Sequence, residues 1–135
     1  MKPALLDTDT VSYYFKGYDT VVEKIDSYLQ QYGFISISLI TYYEVMNGLL
    51  YKDARQQLKK FELFVSLNRV LPLDQSIAST AARIYANLRQ AGQVIGHNDV
   101  LIGATALNND LIVVTNNAKH FSRIPGLSLD NWHLS

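Results

Sequence analysis

The chain has 135 residues, with 12 lysines and arginines against 12 aspartates and glutamates, no cysteine and 48% hydrophobic residues. This length fits one domain around a single core, and the composition excludes a disordered chain, a disulfide scaffold and a zinc site built on thiolates. A net charge of zero removes the simplest electrostatic argument for nucleic-acid binding, so such a function has to be inferred from a site.

No segment is typical of a secretory signal or a membrane helix. Asp7 interrupts the N-terminal apolar run early, and no uncharged apolar stretch approaches the about 20 residues that a membrane helix needs. The three histidines, at positions 97, 120 and 133, lack the spacing of a metal site. We therefore expect a cytoplasmic protein without a membrane segment, and the lack of cysteine suits a reducing compartment.

Short apolar runs alternate with helical patterns along the first half of the chain. The runs end in polar residues, as buried strands do, and the helical patterns are bounded by glycines or by residues suited to cap a helix. The predicted elements are a strand over residues 4–6, two helices between residues 11 and 31, a strand over 34–37, a helix over 39–51 capped by Ser38, and an amphipathic helix over 54–67.

The second half continues this alternation. Its predicted elements are a brief strand over residues 69–73, a helix from a cap at Asp74 to Gly92, a buried apolar helix from about Asn98 to Leu107, a strong strand over 111–115 and an edge strand over 127–129. Continuous apolar strands separated by helices indicate a parallel sheet that is covered on both faces. We predict one domain, residues 1–135, with an α/β fold: a three-layer α/β/α sandwich around a central parallel sheet.

Two acids, Asp7 and Asp9, directly follow the first predicted strand. Ligands of open α/β sheets bind beyond the carboxyl ends of the strands, and two carboxylates this close repel each other unless a cation lies between them. A divalent metal is the natural candidate. A polar turn that caps the next helix explains the same spacing without any ligand.

Glu44 lies in the predicted helix over residues 39–51, opposite its main apolar stripe. Periodicity alone therefore predicts a solvent-exposed side chain. The neighbours of Glu44 are small or amphipathic, which also suits the floor of a cleft. The residues that define the stripe are Leu39, Tyr42, Tyr43, Met46, Leu49 and Leu50.

Asp99 opens a predicted helix that is too apolar to have a solvent face. A carboxylate there must be satisfied by the helix N-terminus, by a partner or by a metal. Capping is the simpler explanation, although Asn98 could already serve as the cap. Polar residues follow the strand over 111–115 as well, where Asn116 and Asn117 form either a plain turn or part of a site.

Three parts of the sequence stand in the order and at the spacing of a known family. They are LLDTDT (residues 5–10), ITYYEVMNG (40–48), and DVLIGATAL (99–107) followed by VVTNNAKHF (113–121). Together they resemble the PIN-domain ribonucleases, and more narrowly the VapC-like toxins of toxin–antitoxin pairs. Each motif is weak alone, but the ordered set spans nearly the whole chain.

The resemblance implies strand ends that bring Asp7, Glu44 and Asp99 together, with Asn117 completing the catalytic site. Such a cluster suits Mg²⁺ or Mn²⁺, hard cations that prefer oxygen ligands. Asp7 and Asp99 are then metal ligands, and Glu44 is a ligand or orients the attacking water. The implied protein is a metal-dependent endoribonuclease that cleaves structured RNA such as tRNA, forms a homodimer and is held inactive by a cognate antitoxin.

Two positions depart from the family pattern. Asn117 stands where the family has a fourth acid, and Asp9 stands where many relatives carry an uncharged residue. We expect Asp9 to act as a further metal ligand that supplies the charge Asn117 lacks. Without such compensation, the chain would be a weak or inactive PIN-like module that binds RNA or a partner.

The balance of charge changes if four acids belong to one metal cluster, because the rest of the chain then has 12 basic groups against 8 acids. A neutral total thus hides a mildly basic surface around a metal-loaded centre. The four acids are Asp7, Asp9, Glu44 and Asp99, and the residues that we expect to contact substrate are Thr115, Lys16, Lys119 and Arg123.

Two rival interpretations are possible. The stretch from Asp7 to Val11 also resembles the opening motif of haloacid dehalogenase-like phosphatases, but only 20 residues follow Thr115, too few for the remaining motifs. The second rival is an interaction module whose acids are caps and whose many tyrosines bind a partner. Loss of metal-dependent cleavage on Asp7→Asn would separate an enzyme from such a module.

Overall fold

The computed structural model describes residues 1–134, which form five strands and seven helices. The first half contains β1 (Ala4–Leu6), α1 (Thr8–Phe15), α2 (Asp19–Tyr32), β2 (Ser36–Ser38), α3 (Leu39–Tyr51) and α4 (Arg55–Leu67). The second half contains β3 (Arg69–Leu71), α5 (Gln75–Gln90), α6 (His97–Asn108), β4 (Ile112–Val114), α7 (Ala118–Phe121) and β5 (Leu129–Asp130).

The five strands form one parallel sheet in the order β3-β2-β1-β4-β5. Successive side chains of β1 point to opposite faces, so Leu5 joins one apolar cluster while Ala4 and Leu6 join the other. Helices α5 and α6 contribute to the first cluster, and α1, α2 and α4 contribute to the second. The predicted three-layer α/β/α fold is confirmed.

The strand order places a switch point between β1 and β4. The chain moves from β1 outward to β2 and β3, and β4 and β5 then extend the sheet on the other side of β1. The crevice beyond the carboxyl ends of β1 and β4 is therefore where this topology opens a ligand site.

Three local features of the fold differ from what the sequence indicated. Helix α6 begins at His97 with Gly96 as its N-cap and without a side-chain cap, so Asn98 is not the cap. The short helix α7 was not predicted, because four residues are too few to show a period. The last strand is Leu129–Asp130 rather than residues 127–129.

Only part of the apolar stripe of α3 faces the core, where the second cluster is contacted by Tyr42, Met46 and Leu49. Leu39, Tyr43 and Leu50 are 40%, 59% and 60% exposed, whereas Thr41 is fully buried. Helix α3 is apolar around most of its circumference, so periodicity alone does not identify its inner face. Among residues 1–134, no helix is both long and apolar enough to cross a membrane.

Candidate active site

Asp7 stands at the carboxyl end of β1, beside the end of β4. Its N–H donates to the carbonyl of Val114 (2.9 Å), which continues the pairing of the two strands. One carboxylate oxygen accepts from the N–H of Thr8 (2.8 Å) at the start of α1, and the other accepts from the Thr115 hydroxyl (2.7 Å). The side chain is thus both a helix cap and a buried acid at the switch point, with 6% of its surface exposed.

Burial raises the pKa of Asp7 to about 7, and the nearby negative charge of Asp9 adds to the rise. The hydrogen bonds from Thr115 and Thr8 lower the pKa in part, and the charge of Asp99 raises it slightly further. The fold therefore holds a carboxylate where its ionised form is poorly solvated and repelled by neighbouring acids. A bound cation would relieve both effects.

Asp9 lies in the first turn of α1 and reaches the loop that follows β4. One of its carboxylate oxygens accepts from the N–H of Asn116 (3.0 Å) and lies 3.5 Å from the Thr115 hydroxyl oxygen. The Asn116 amide in turn donates to the Tyr13 hydroxyl (3.1 Å). Asp9 thus holds the loop after β4 against α1 while adding negative charge beside Asp7.

Glu44 is half-buried and bonded at both oxygens, so the prediction of a solvent-exposed side chain is wrong. The Thr8 hydroxyl donates to one oxygen (2.6 Å), and the Asn98 amide at the start of α6 donates to the other (3.3 Å). Helix α3 delivers Glu44 to this place because Ser38, at the end of β2, accepts from the N–H of Thr41 and fixes the start of the helix.

Asp99 lies in the first turn of α6 and faces α7. Its carboxylate oxygen Oδ2 lies 3.4 Å from Nδ1 of His120, and the Asn117 amide nitrogen lies 3.0 Å from the same ring nitrogen. The N–H of Asn117 donates to the Thr115 hydroxyl oxygen (2.9 Å). Burial raises the pKa of Asp99, and the contact with His120 lowers it in part.

The acids of this site lack basic neighbours. Within residues 1–134, no lysine or arginine forms an ion pair with these four acids. Among the described residues, the one basic side chain in contact with any of them is His120, which lies beside Asp99. These residues do not by themselves close a cage around an ion, since no three acidic or histidine side chains of the described chain are arranged that tightly. A half-open set of oxygen donors with excess negative charge fits a hard divalent cation that keeps several waters.

Comparison with known proteins identifies the family of this chain. The family model that describes the PIN domain matches the sequence of this chain over residues 4–127. The chain belongs to the PIN domain family. The PIN match excludes the phosphatase interpretation, and the predicted family is confirmed.

Individual relatives and solved structures show which PIN proteins this chain resembles. The tRNA(fMet)-specific endonuclease VapC of Salmonella typhimurium is 36% identical over 97 residues, 71% of this chain and 74% of that protein. The DNA-bound VapBC structure from Salmonella typhimurium superposes with a TM-score of 0.87 at 31% identity, covering 98% of this chain and 99% of the other. A toxin–antitoxin complex from Klebsiella pneumoniae superposes with a TM-score of 0.70 at 28% identity, covering 92% and 94%. The predicted class of enzyme, a nuclease, is confirmed at the level of the family.

The three basic residues predicted to contact substrate lie in different places around the candidate site. Lys16 lines a cavity of about 510 Å³ together with Glu44. Lys119 is exposed on α7, next to His120. Arg123 donates to the carbonyl of Val94 (3.1 Å), in the loop before α6, and is not brought to the acids.

Three residues that contact the candidate acids were not predicted from the sequence. Thr8 and Asn98 hold Glu44, and His120 contacts both Asp99 and Asn117. Thr8 was flanked by two predicted site acids, which was a usable signal. Nothing in the local pattern separated Asn98 and His120 from ordinary turn and helix residues, because their partners come from distant parts of the chain.

Proposed function

We propose that this protein is a Mg²⁺- or Mn²⁺-dependent endoribonuclease and the toxin of a toxin–antitoxin pair. One observation carries the proposal: acids at the end of β1 and on α1, α3 and α6 lie close enough to add to the effect of burial in raising the pKa of Asp7 and Asp99, without lysine or arginine partners among the described residues. Asp7 is the most buried of them and has a pKa near neutrality. Unpaired acids that repel one another destabilise a fold, and their oxygens are the ligands that a hard divalent cation prefers.

The side chains of the site have distinct tasks in this proposal. Asp7 and Asp99 bind the cation, and Glu44, held at both oxygens, binds it or orients the attacking water. When bound, the cation lowers the pKa of water and stabilises negative charge on the attacked phosphate. Thr115 organises the centre, since its hydroxyl donates to Asp7 and accepts from the N–H of Asn117.

The substrate class follows from the relatives and from the charge of the site. The Salmonella typhimurium relative is named for tRNA(fMet), and we propose a structured RNA of this kind, cleaved in the cytoplasm, as the substrate here. A divalent cation lets a site built from acids accept a phosphodiester, which those acids alone would repel. Lys16 and the exposed Lys119 would add positive charge at its margins.

Apolar surfaces beside the site support the proposed antitoxin and a homodimer. The cavity that contains Glu44 and Lys16 lies between α1, α3 and α4, and a second cavity of about 640 Å³ between α1, α2 and α4 shares Phe15 with it. These two neighbouring cavities offer apolar side chains that an apolar segment of an antitoxin would cover. The exposed side chains of α3, including Tyr43 and Leu50, provide an apolar face for a second copy.

The proposal is tested by incubating purified protein with total tRNA and with an initiator tRNA transcript, in Mg²⁺, in Mn²⁺ and in EDTA, and mapping the RNA ends. We expect defined cleavage that needs the metal and falls at least about 100-fold in Asp7→Asn. Asp110→Asn is the matched control, because Asp110 is an exposed acid in a turn with a positive φ that asparagine tolerates. Cleavage that survives Asp7→Asn, or no cleavage in clean wild-type protein, would leave the inactive binding module as the better account.

A further inference from the structure

Thr8 stands between two of the candidate acids and contacts both. It is the first residue of α1, and its N–H donates to Oδ1 of Asp7 (2.8 Å). Its hydroxyl donates to Oε1 of Glu44 (2.6 Å), which α3 brings from 36 positions away in the sequence. One residue therefore links the acid at the end of β1 to the acid on α3, through its backbone and its side chain respectively.

The hydroxyl of Thr41 determines how the hydroxyl of Thr8 is used. Thr41 is fully buried on α3, and its side-chain oxygen lies 3.1 Å from that of Thr8, its one hydroxyl partner among residues 1–134. Thr8 has a single hydroxyl hydrogen, and an ionised carboxylate accepts hydrogen bonds without donating any. The hydrogen of Thr8 therefore points to Glu44, and the Thr41 hydroxyl donates to a lone pair of Thr8. The donors thus run in one direction, from Thr41 through Thr8 to Glu44.

Thr8 provides the stronger of the two contacts that hold Glu44. The second carboxylate oxygen, Oε2, accepts from the Asn98 amide at 3.3 Å and at an exposed position. The bond from Thr8 is 2.6 Å long, in the range of a hydroxyl that donates to a charged carboxylate. No lysine or arginine of the described chain forms an ion pair with Glu44. The orientation of this carboxylate therefore depends mainly on the hydroxyl of Thr8.

We infer that Thr8 is a positioning residue, which holds Glu44 beside Asp7 in the orientation that the cation needs. This inference rests on the proposed metal-dependent function. Thr8 acts through the two acids, by its N–H on Asp7 and by its hydroxyl on Glu44. Partners of this kind fix the orientation of ligating groups, and their loss costs about 10–100-fold in metal affinity.

Substitutions at Thr8 separate its hydroxyl from the rest of the residue. Valine has the shape of threonine and keeps the N–H that bonds to Asp7, but it lacks the hydroxyl, which serine retains. We expect Thr8→Val to bind Mn²⁺ about 10–100-fold more weakly than wild type and Thr8→Ser to stay within about 3-fold, measured by calorimetry. Thr80→Val is the matched control, because the Thr80 hydroxyl donates to Asn108 (3.0 Å), at the opposite end of α6 from Asp99.

A double variant distinguishes positioning from a merely structural role. Thr8→Val leaves the buried hydroxyl of Thr41 without its acceptor, which destabilises the fold. Adding Thr41→Val removes that unpaired hydroxyl, so the double variant should unfold at a higher temperature than Thr8→Val while its Mn²⁺ affinity stays as low. Recovery of Mn²⁺ affinity together with stability would overturn the inference, because weak binding would then follow from the damaged fold alone.

The outcomes also separate the inference from the proposed function. In crystals of the metal-free protein, we expect Glu44 to contact Thr8 in wild type and to turn away in Thr8→Val. A Glu44 carboxylate that stays in place in Thr8→Val, or equal Mn²⁺ affinity in wild type and Thr8→Val, would overturn the inference alone. Wild-type protein that binds no Mn²⁺ would overturn the proposed function, and the inference with it.

Discussion

At the scale of single residues, the ionisation of Asp7 links the site to the stability of the fold. Its pKa is about 7 in the folded protein, against 3.8 for an ordinary aspartate. Between these pH values the folded chain holds a proton that the unfolded chain releases, so stability decreases as pH rises from about 4 to 7 and is flat above. A shift of roughly three pKa units corresponds to at most about 4 kcal/mol.

We therefore expect metal-free protein to unfold at a lower temperature at pH 8 than at pH 5, and Asp7→Asn to be more stable than wild type at pH 8. Asparagine keeps the cap of α1 but carries no charge. The measurement is thermal unfolding in EDTA at both pH values, with Asp110→Asn as the control. Parallel pH dependence in wild type and Asp7→Asn would show that Asp7 does not carry the effect.

Asp9 is expected to supply the negative charge that Asn117 lacks at the candidate metal site. Asp9→Asn should weaken Mn²⁺ binding and lower the pKa of Asp7, because Asp9 is the neighbouring charge that raises it most. Adding Asn117→Asp should restore affinity to the double variant. Calorimetry on the three proteins checks this, and unchanged affinity in Asp9→Asn would leave Asp9 with the structural role of holding the loop after β4 through the N–H of Asn116.

At the scale of elements, the caps of α3 and α5 make a matched pair. Ser38 caps α3 and Asp74 caps α5, each by accepting from a backbone N–H of the first turn. Replacing either with alanine should cost about 1 kcal/mol of stability. Only Ser38→Ala should also weaken Mn²⁺ binding, because α3 carries Glu44. Thermal unfolding and calorimetry test the pair, and equal effects on Mn²⁺ affinity would show that α3 does not position Glu44.

The sequence was sufficient for most elements because their signals are local. Strands such as β1 and β4 are short apolar runs that end in polar residues, and Ser38 and Asp74 are caps by residue type. The inner face of α3 was not predictable, since an apolar stripe looks the same whether it packs on a core or meets solvent. The surroundings of Glu44 depend on Thr8 and Asn98, which only the fold brings together.

The candidate site was only partly predictable for the same reason. The acids Asp7 and Asp9 follow a strand in the sequence, so the rule for parallel sheets is enough to place them. The contact of His120 with Asp99 was not predictable, because the two residues are 21 positions apart in the sequence. Residues that hold the ligands carry no signature of their own in one sequence.

At the scale of the whole molecule, a chain of zero net charge still has regions of opposite charge. Four of the 12 acids belong to the candidate site, so the rest of the chain has 12 basic groups and 8 acids. Once a cation neutralises the crevice, the surrounding surface is mildly basic and favours RNA. The position of each basic residue then decides whether it contributes to binding.

Lys16 and Arg123 test this view, because the fold separates two residues that the sequence treated alike. Lys16 is exposed at the cavity that contains Glu44, whereas Arg123 is bonded to the carbonyl of Val94. In an Asp7→Asn background that cannot cleave, Lys16→Gln should weaken tRNA binding and reduce the slope of log affinity against log salt by about 0.7–0.9, the loss of one phosphate contact. Arg123→Gln should change neither. Fluorescence anisotropy at several KCl concentrations measures both slopes, and equal slopes for the two variants would mean that RNA does not pass beside Lys16.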